Sequence, residues 1–137
     1  MVNYCLDTNV ISDILRGNEQ VKKRLKNEVL ADNIFSVCSI VYYEILRGLL
    51  YKDSERKMDK FKNFYKNSNH LFFDRENLKV IDKAAEIYRY LKSNGLMIDE
   101  NDIYISAIAI VNDCTLVTAN TRHFERVEGL KFVNWRE

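Results

Sequence analysis

The stretch "YCLDTNVIS", residues 4–12, changes its period in the middle. Tyr4, Cys5 and Leu6 continue an apolar run from Val2, so residues 2–6 read as a short buried strand. Asp7, Thr8 and Asn9 interrupt it, and Val10, Ile11, Ile14 and Leu15 then recur at helical spacing until Gly17. A strand that becomes a helix across three polar residues opens an alternating α/β unit. Asp7 is placed to cap that helix, and taken alone it needs no other explanation.

The same alternation runs outward along the chain. Residues 18–31 are charged and helical, with Val21, Leu25 and Val29 at four-residue steps, and "IFSVC" (34–38) is a second strand. Ser39 is a candidate cap for the helix "IVYYEILRGLLY", whose apolar content predicts that it is largely buried. A helix over 54–66 turns Met58, Phe61 and either Phe64 or Tyr65 inward. "HLFFD" (70–74) is a third strand, and 76–93 is an amphipathic helix stopped by Gly95. The segment 99–113 begins with polar residues and continues almost wholly apolar, as a central helix does. Strands over 114–120 and 131–135 complete the set. Strands separated by helices predict one α/β domain over residues 1–137, with a mostly parallel five-stranded sheet and helices on both faces. Ligands of such sheets sit at the carboxyl ends of the strands, where Asp7 lies.

Composition narrows the chemistry. The 137 residues are 47% hydrophobic and 30% charged, with no proline and four glycines. That is the profile of a folded domain with long helices. No apolar run approaches the roughly 18 residues of a membrane span, and no signal-peptide pattern opens the chain, so a cytoplasmic protein without a membrane anchor is expected. The net charge of +1 gives no global attraction to nucleic acid, which leaves local basic patches for that role. Three scattered cysteines and two histidines lack zinc spacing, and the cysteines, lying in apolar runs, read as buried thiols. No phosphate-binding glycine loop is present.

Four polar residues stand out. Glu44 lies inside an apolar helix, where pairing with Arg47 at i+3 is the ordinary reading. Asp102 follows Asp99 and Glu100 at the start of the central helix, and three acids in four residues exceed what a helix dipole requires. Asn120 closes the fourth strand, where a turn or cap residue is common. A parallel sheet can bring Asp7, Asp102 and Asn120 to one edge. Buried carboxylates repel, and a hard divalent cation such as Mg²⁺ or Mn²⁺ removes that conflict while activating water against a phosphodiester. A dehalogenase-like phosphatase needs D-x-D after its first strand, and this chain has D-T-N. A receiver domain needs an adjacent acid pair and a late lysine, and neither is present.

With these residues in view, the chain resembles the PIN-domain ribonucleases, specifically VapC-type toxins of toxin–antitoxin pairs. "LDTNVIS" resembles the family's first acidic turn, with Asp7. "SIVYYEILRG" resembles the E-x-x-x-G helix, Glu44 to Gly48. The segment from Glu100 to Trp135 is similar to the closing half of such toxins, with Asp102 and then T-x-N-x-x-x-F from Thr118 to Phe124. The resemblance implies a PIN fold of strand order 3-2-1-4-5. It implies Mg²⁺-dependent (or Mn²⁺-dependent) endonucleolytic cleavage of RNA, usually tRNA or ribosomal RNA, and inhibition by a cognate VapB-type antitoxin. It also implies a homodimer. Many PIN domains carry a fourth acid where this chain has Asn120, which bears on whether one or two ions bind.

On that resemblance Asp7 and Asp102 ligate the metal. Glu44 completes the ligand set or deprotonates the attacking water, and Asn120 orients water or substrate. Thr8, Asn9 and Thr118 become donors that fix the carboxylates. Arg16, Arg47 and Arg122 are the candidate RNA contacts. Two other readings are a PIN nuclease of RNA processing outside toxin–antitoxin pairs, and a weakly active PIN module acting through RNA or antitoxin contacts.

Overall fold

The computed structural model describes residues 1–73 and 78–137. The chain runs β1 (Asn3–Leu6), α1 (Thr8–Leu15), α2 (Glu19–Leu30), β2 (Ile34–Cys38), α3 (Ser39–Lys52), α4 (Glu55–Lys66) and β3 (Asn69–Leu71). It continues through α5 (Lys79–Ser93), α6 (Glu100–Val111), β4 (Thr115–Val117), α7 (Thr121–Phe124) and β5 (Lys131–Val133). The strands form one sheet of order β3-β2-β1-β4-β5, every pairing parallel. Consecutive residues of the inner strands, Cys5 and Leu6 in β1 and Leu116 and Val117 in β4, have no exposed surface. Neighbours on a strand point to opposite faces, so helices cover both sides of the sheet.

β1 pairs with β2 on one side and β4 on the other, with Leu6 opposite Val117. The chain order reverses between β1 and β4, which opens a crevice beyond their carboxyl ends. Helix α6 is the most buried, through Ile103, Ile105, Ala107, Ile108 and Ala109, as its apolar run predicts. The three cysteines are buried free thiols. Among the described residues no helix is long and apolar enough to cross a membrane.

Several expectations shift. Helix α3 is covered on one face only: Val41 and Ile45 are buried, whereas Leu50 is 65% and Tyr51 93% exposed. Apolar composition alone does not tell which side the core takes. Ser39 is the first residue of α3 rather than its cap, and its hydroxyl accepts from Phe73 N at 3.0 Å, tying the segment after β3 to this helix. β3 ends at Leu71, short of the expected 70–74, and Asp74 lies outside the described residues, as do 76 and 77 of the expected helix. β4 stops at Val117 because Thr118 and Asn120 turn the chain out of the sheet, with Asn120 N donating to Thr118 Oγ1 at 2.9 Å. The α2 stripe buries Val21 but leaves Val29 45% exposed, so this helix leaves the core toward its end.

The final residues are clamped to α1. Arg136 donates from Nε to Asp13 Oδ2 at 2.6 Å and from Nη2 to Oδ1 at 2.9 Å, and Arg16 Nη2 reaches the same Oδ1 at 2.9 Å. Beside them the buried Trp135 stands edge-on to Tyr4, ring centroids 5.3 Å apart. The Arg136 guanidinium, followed by Arg16, holds the Asp13 carboxyl below its ordinary range. A depressed folded value means the pair stabilises above the unfolded value near ~3.9 and is lost as pH falls through the folded one. Arg136 is itself 44% exposed, so it rehydrates when Asp13 is removed. Asp13→Asn therefore lowers stability by about 1.5 kcal/mol, or ~5 °C in Tm, at pH 7. Thermal melts at pH 7 and pH 3 check this, since the difference should shrink at the lower pH.

Candidate active site

Asp7 is the joint between sheet and helix. Its N–H donates to Val117 O of β4 at 2.9 Å, while its carbonyl already accepts from Val10 N and Ile11 N at the start of α1. Held from both sides, the carboxylate turns into the crevice and is only 5% exposed. Oδ1 accepts from Thr8 N at 2.8 Å, and Oδ2 accepts from Thr118 Oγ1 at 2.8 Å and Asn9 Nδ2 at 3.2 Å. Asp7 does cap α1, as its position predicts. Every one of these partners is neutral, however, so the charge is left uncancelled. Burial raises its pKa, the nearby charge of Glu44 raises it further, and the three donors only partly offset this.

Asp102 lies in the first turn of α6, which Asp99 caps by accepting from Glu100 N at 3.1 Å. Its carboxyl is pushed up to about 6, first by burial and then by the charge of Asp7, with Asp99 and Glu44 adding to the effect. His123, on α7, opposes the shift, with Nδ1 3.4 Å from Asp102 Oδ2. Glu44 reaches in from α3: Oε1 accepts from Thr8 Oγ1 at 2.8 Å and Oε2 from Asn101 Nδ2 at 3.3 Å. The charge of Glu44 thus raises the cost of ionising Asp7, and Asp7 and Glu44 together raise that of Asp102, at the switch point of the sheet.

Asn120 joins this cluster through His123, with Nδ2 2.9 Å from His123 Nδ1. Asn9 latches the turn after β4, its Oδ1 accepting from Ala119 N at 3.0 Å, and Thr118 is fully buried between Asp7 and Asn120. The three arginines stand apart. Arg16 is at the far end of α1 from Asp7 and is bound to Asp13. Arg47 lies over the Tyr43 ring at 5.0 Å, in place of the expected pair with Glu44, although it remains near enough to feel Glu44 and Asp99. Arg122 is exposed on α7, one residue before His123. Two residues of the cluster do not stand out in the sequence, His123 and Asn101. Their available signals are adjacency, His123 lying three residues after Asn120 and Asn101 immediately before Asp102.

Among the described residues no three Asp, Glu, His or Cys side chains form a ready-made metal cage. The donor set nevertheless suits Mg²⁺, which takes one or two carboxylates and keeps much of its water. Asp7 and Asp102 could supply that pair, each perturbed upward by burial and by like charge, and Asp7 is bound only by neutral donors.

The PIN domain family profile matches residues 4–130. Ribonuclease VapC1 of Methanocaldococcus jannaschii is 34% identical over 128 residues, covering 92% of this chain and 83% of the relative. Ribonuclease VapC2 of Rickettsia felis is 31% identical over 141 residues, covering 96% and 97%. Among solved structures, VapBC2 of Rickettsia felis bound to a promoter DNA fragment superimposes with a TM-score of 0.86 at 26% identity, over 98% of this chain and 99% of that one. FitAcB of Neisseria gonorrhoeae gives 0.78 at 29% identity, over 98% and 99%. Fold, strand order and sequence agree across nearly the whole length, and the chain belongs to the PIN-domain family, in its VapC branch.

Proposed function

We propose that this chain is the toxin of a VapBC pair, an Mg²⁺-dependent endoribonuclease held inactive by a VapB-type antitoxin. The observation that carries the reading is the pair Asp7 and Asp102, two like-charged carboxyls driven upward together at the switch point of a PIN sheet. The relatives named ribonuclease VapC support the activity, and the VapBC2 complex supports the partner. Structured RNA such as tRNA or ribosomal RNA is the proposed substrate class.

In this mechanism Asp7 and Asp102 would hold the ion, and Mg²⁺ bound there would supply positive charge against the scissile phosphate. Thr118, Thr8 and Asn9 keep the Asp7 oxygens aimed into the crevice. Glu44, with both oxygens held, takes the proton from the attacking water. Asn120 and His123 border the far side of Asp102 and orient the substrate there. As an amide, Asn120 adds no charge, which favours one ion over two.

Sequencing RNA ends after induced expression tests the reading. Wild type should produce new 5′ ends at a few discrete sites, absent with Asp7→Asn. Identical end profiles for the two proteins would refute the nuclease reading.

A further inference from the structure

We propose that Asn101 is a positioning residue, whose side-chain amide acts with the Thr8 hydroxyl to fix the plane of the Glu44 carboxylate beside Asp7 and Asp102. The proposal rests on the nuclease reading above and adds a residue that reading does not require. The geometry is a bracket. Thr8, which holds Glu44 Oε1 at 2.8 Å, directly follows Asp7, and Asn101, which holds Oε2 at 3.3 Å, directly precedes Asp102. Helix α1, which Asp7 caps, and α6, which carries Asp102, therefore both grip α3 through the residue next to each acid.

Glu44 needs both grips. A glutamate has three rotatable side-chain bonds, and a single hydrogen bond leaves its carboxylate free to turn about that bond. The charges of Asp7 and Asp102 repel it, as its own effect on both of them shows. Arg47, one turn further along α3, is exposed, cationic and within electrostatic reach. Released by Asn101, Glu44 swings away from the acids and toward Arg47. The residue type matters as well. A lysine or arginine at 101 would hold the carboxylate but cancel the charge that draws a cation, whereas an amide holds it and leaves the charge intact.

A double-mutant cycle with Asn101→Ala and Glu44→Gln tests this. In the wild-type background Asn101→Ala should lower kcat about tenfold or more with KM little changed. In the Glu44→Gln background the same change should cost less than about twofold, because the residue it orients is already disabled. Asn101→Ala should keep the Mg²⁺-induced rise in melting temperature, since Asp7 and Asp102 remain. The Asn101 side-chain amide signals in a ¹H–¹⁵N spectrum should move in Glu44→Gln. Multiplicative losses in kcat, or loss of the Mg²⁺-induced rise, overturn the proposal while RNA cleavage by the wild type keeps the nuclease reading intact. A wild type that cleaves no RNA overturns the nuclease reading itself, and with it any catalytic use of the bracket.

Discussion

Asp7→Asn lowers metal-dependent RNA cleavage at least about a hundredfold and removes the Mg²⁺-induced rise in melting temperature. The size follows from the position of the residue. Outer partners of metal ligands commonly contribute ~10–100-fold, and Asp7 is proposed as a ligand itself. Its carboxylate is 5% exposed and receives three hydrogen bonds, so no neighbouring acid can swing in to replace it. Asparagine keeps the shape and the bond from Thr8 N, and the fold should persist with unchanged far-UV circular dichroism. It also carries no charge for the cation, and its amide hydrogens face the Thr118 hydroxyl and the Asn9 amide, both of which donate to Asp7 in the wild type. Purified proteins, a structured RNA and a titration of MgCl₂ in a thermal melt provide both readouts. Full cleavage by Asp7→Asn would remove this residue from the mechanism. A retained Mg²⁺ shift with lost cleavage would place the ion elsewhere.

The strands and the candidate residues at their ends are legible in the sequence for one physical reason, whereas the strand order comes only from the resemblance to the PIN family. In a parallel α/β chain each strand end is marked by a change of period, so Asp7 and Asn120 announce their edge of the sheet by their place in the pattern alone. Asp102 is legible because the apolar run behind it can only be a buried helix. Glu44 is half legible: its pairing with Arg47 follows from helical spacing, and the fold replaces it with Thr8 and Asn101, which come from two other helices. Long-range partners of this kind leave no trace in local spacing. Asp13 shows the same limit. Its i,i+3 pairing with Arg16 is one that helical spacing allows, yet it also binds a C-terminal arginine 123 residues away in sequence. His123 is hidden because α7 is a four-residue helix that turns back toward α6, a direction that no periodicity encodes. The exposed face of α3 is hidden for a simpler reason, because hydrophobic content does not say which side is covered.

Asp102→Asn makes the metal-free protein more stable at neutral pH. The Asp102 carboxyl rises from its ordinary range to about 6 because burial and the charges of Asp7, Asp99 and Glu44 outweigh the help from His123. A folded value above the unfolded one, near ~3.9, means the native state binds the proton more tightly. Wild-type stability therefore falls as pH rises from about 4 to about 6 and stays reduced above that. Converted at about 1.4 kcal/mol per tenfold change in proton affinity, the loss is up to about 3 kcal/mol, close to 10 °C in Tm for a domain of this size. Asparagine has no proton to lose, so its advantage should grow across that window and vanish below pH ~4. Saturating Mg²⁺ should reverse the order. Wild type gains about 4.1 kcal/mol at a cation concentration about a thousandfold above Kd, whereas the variant gains far less. Melting curves from pH 4 to 8, with EDTA and with MgCl₂, measure all of this, and an Asp102→Asn protein no more stable than wild type at pH 7 in EDTA would contradict it. Burial and the charge of Asp7 thus make the Asp102 carboxylate a weak point of the fold, and a cation bound there would offset that cost.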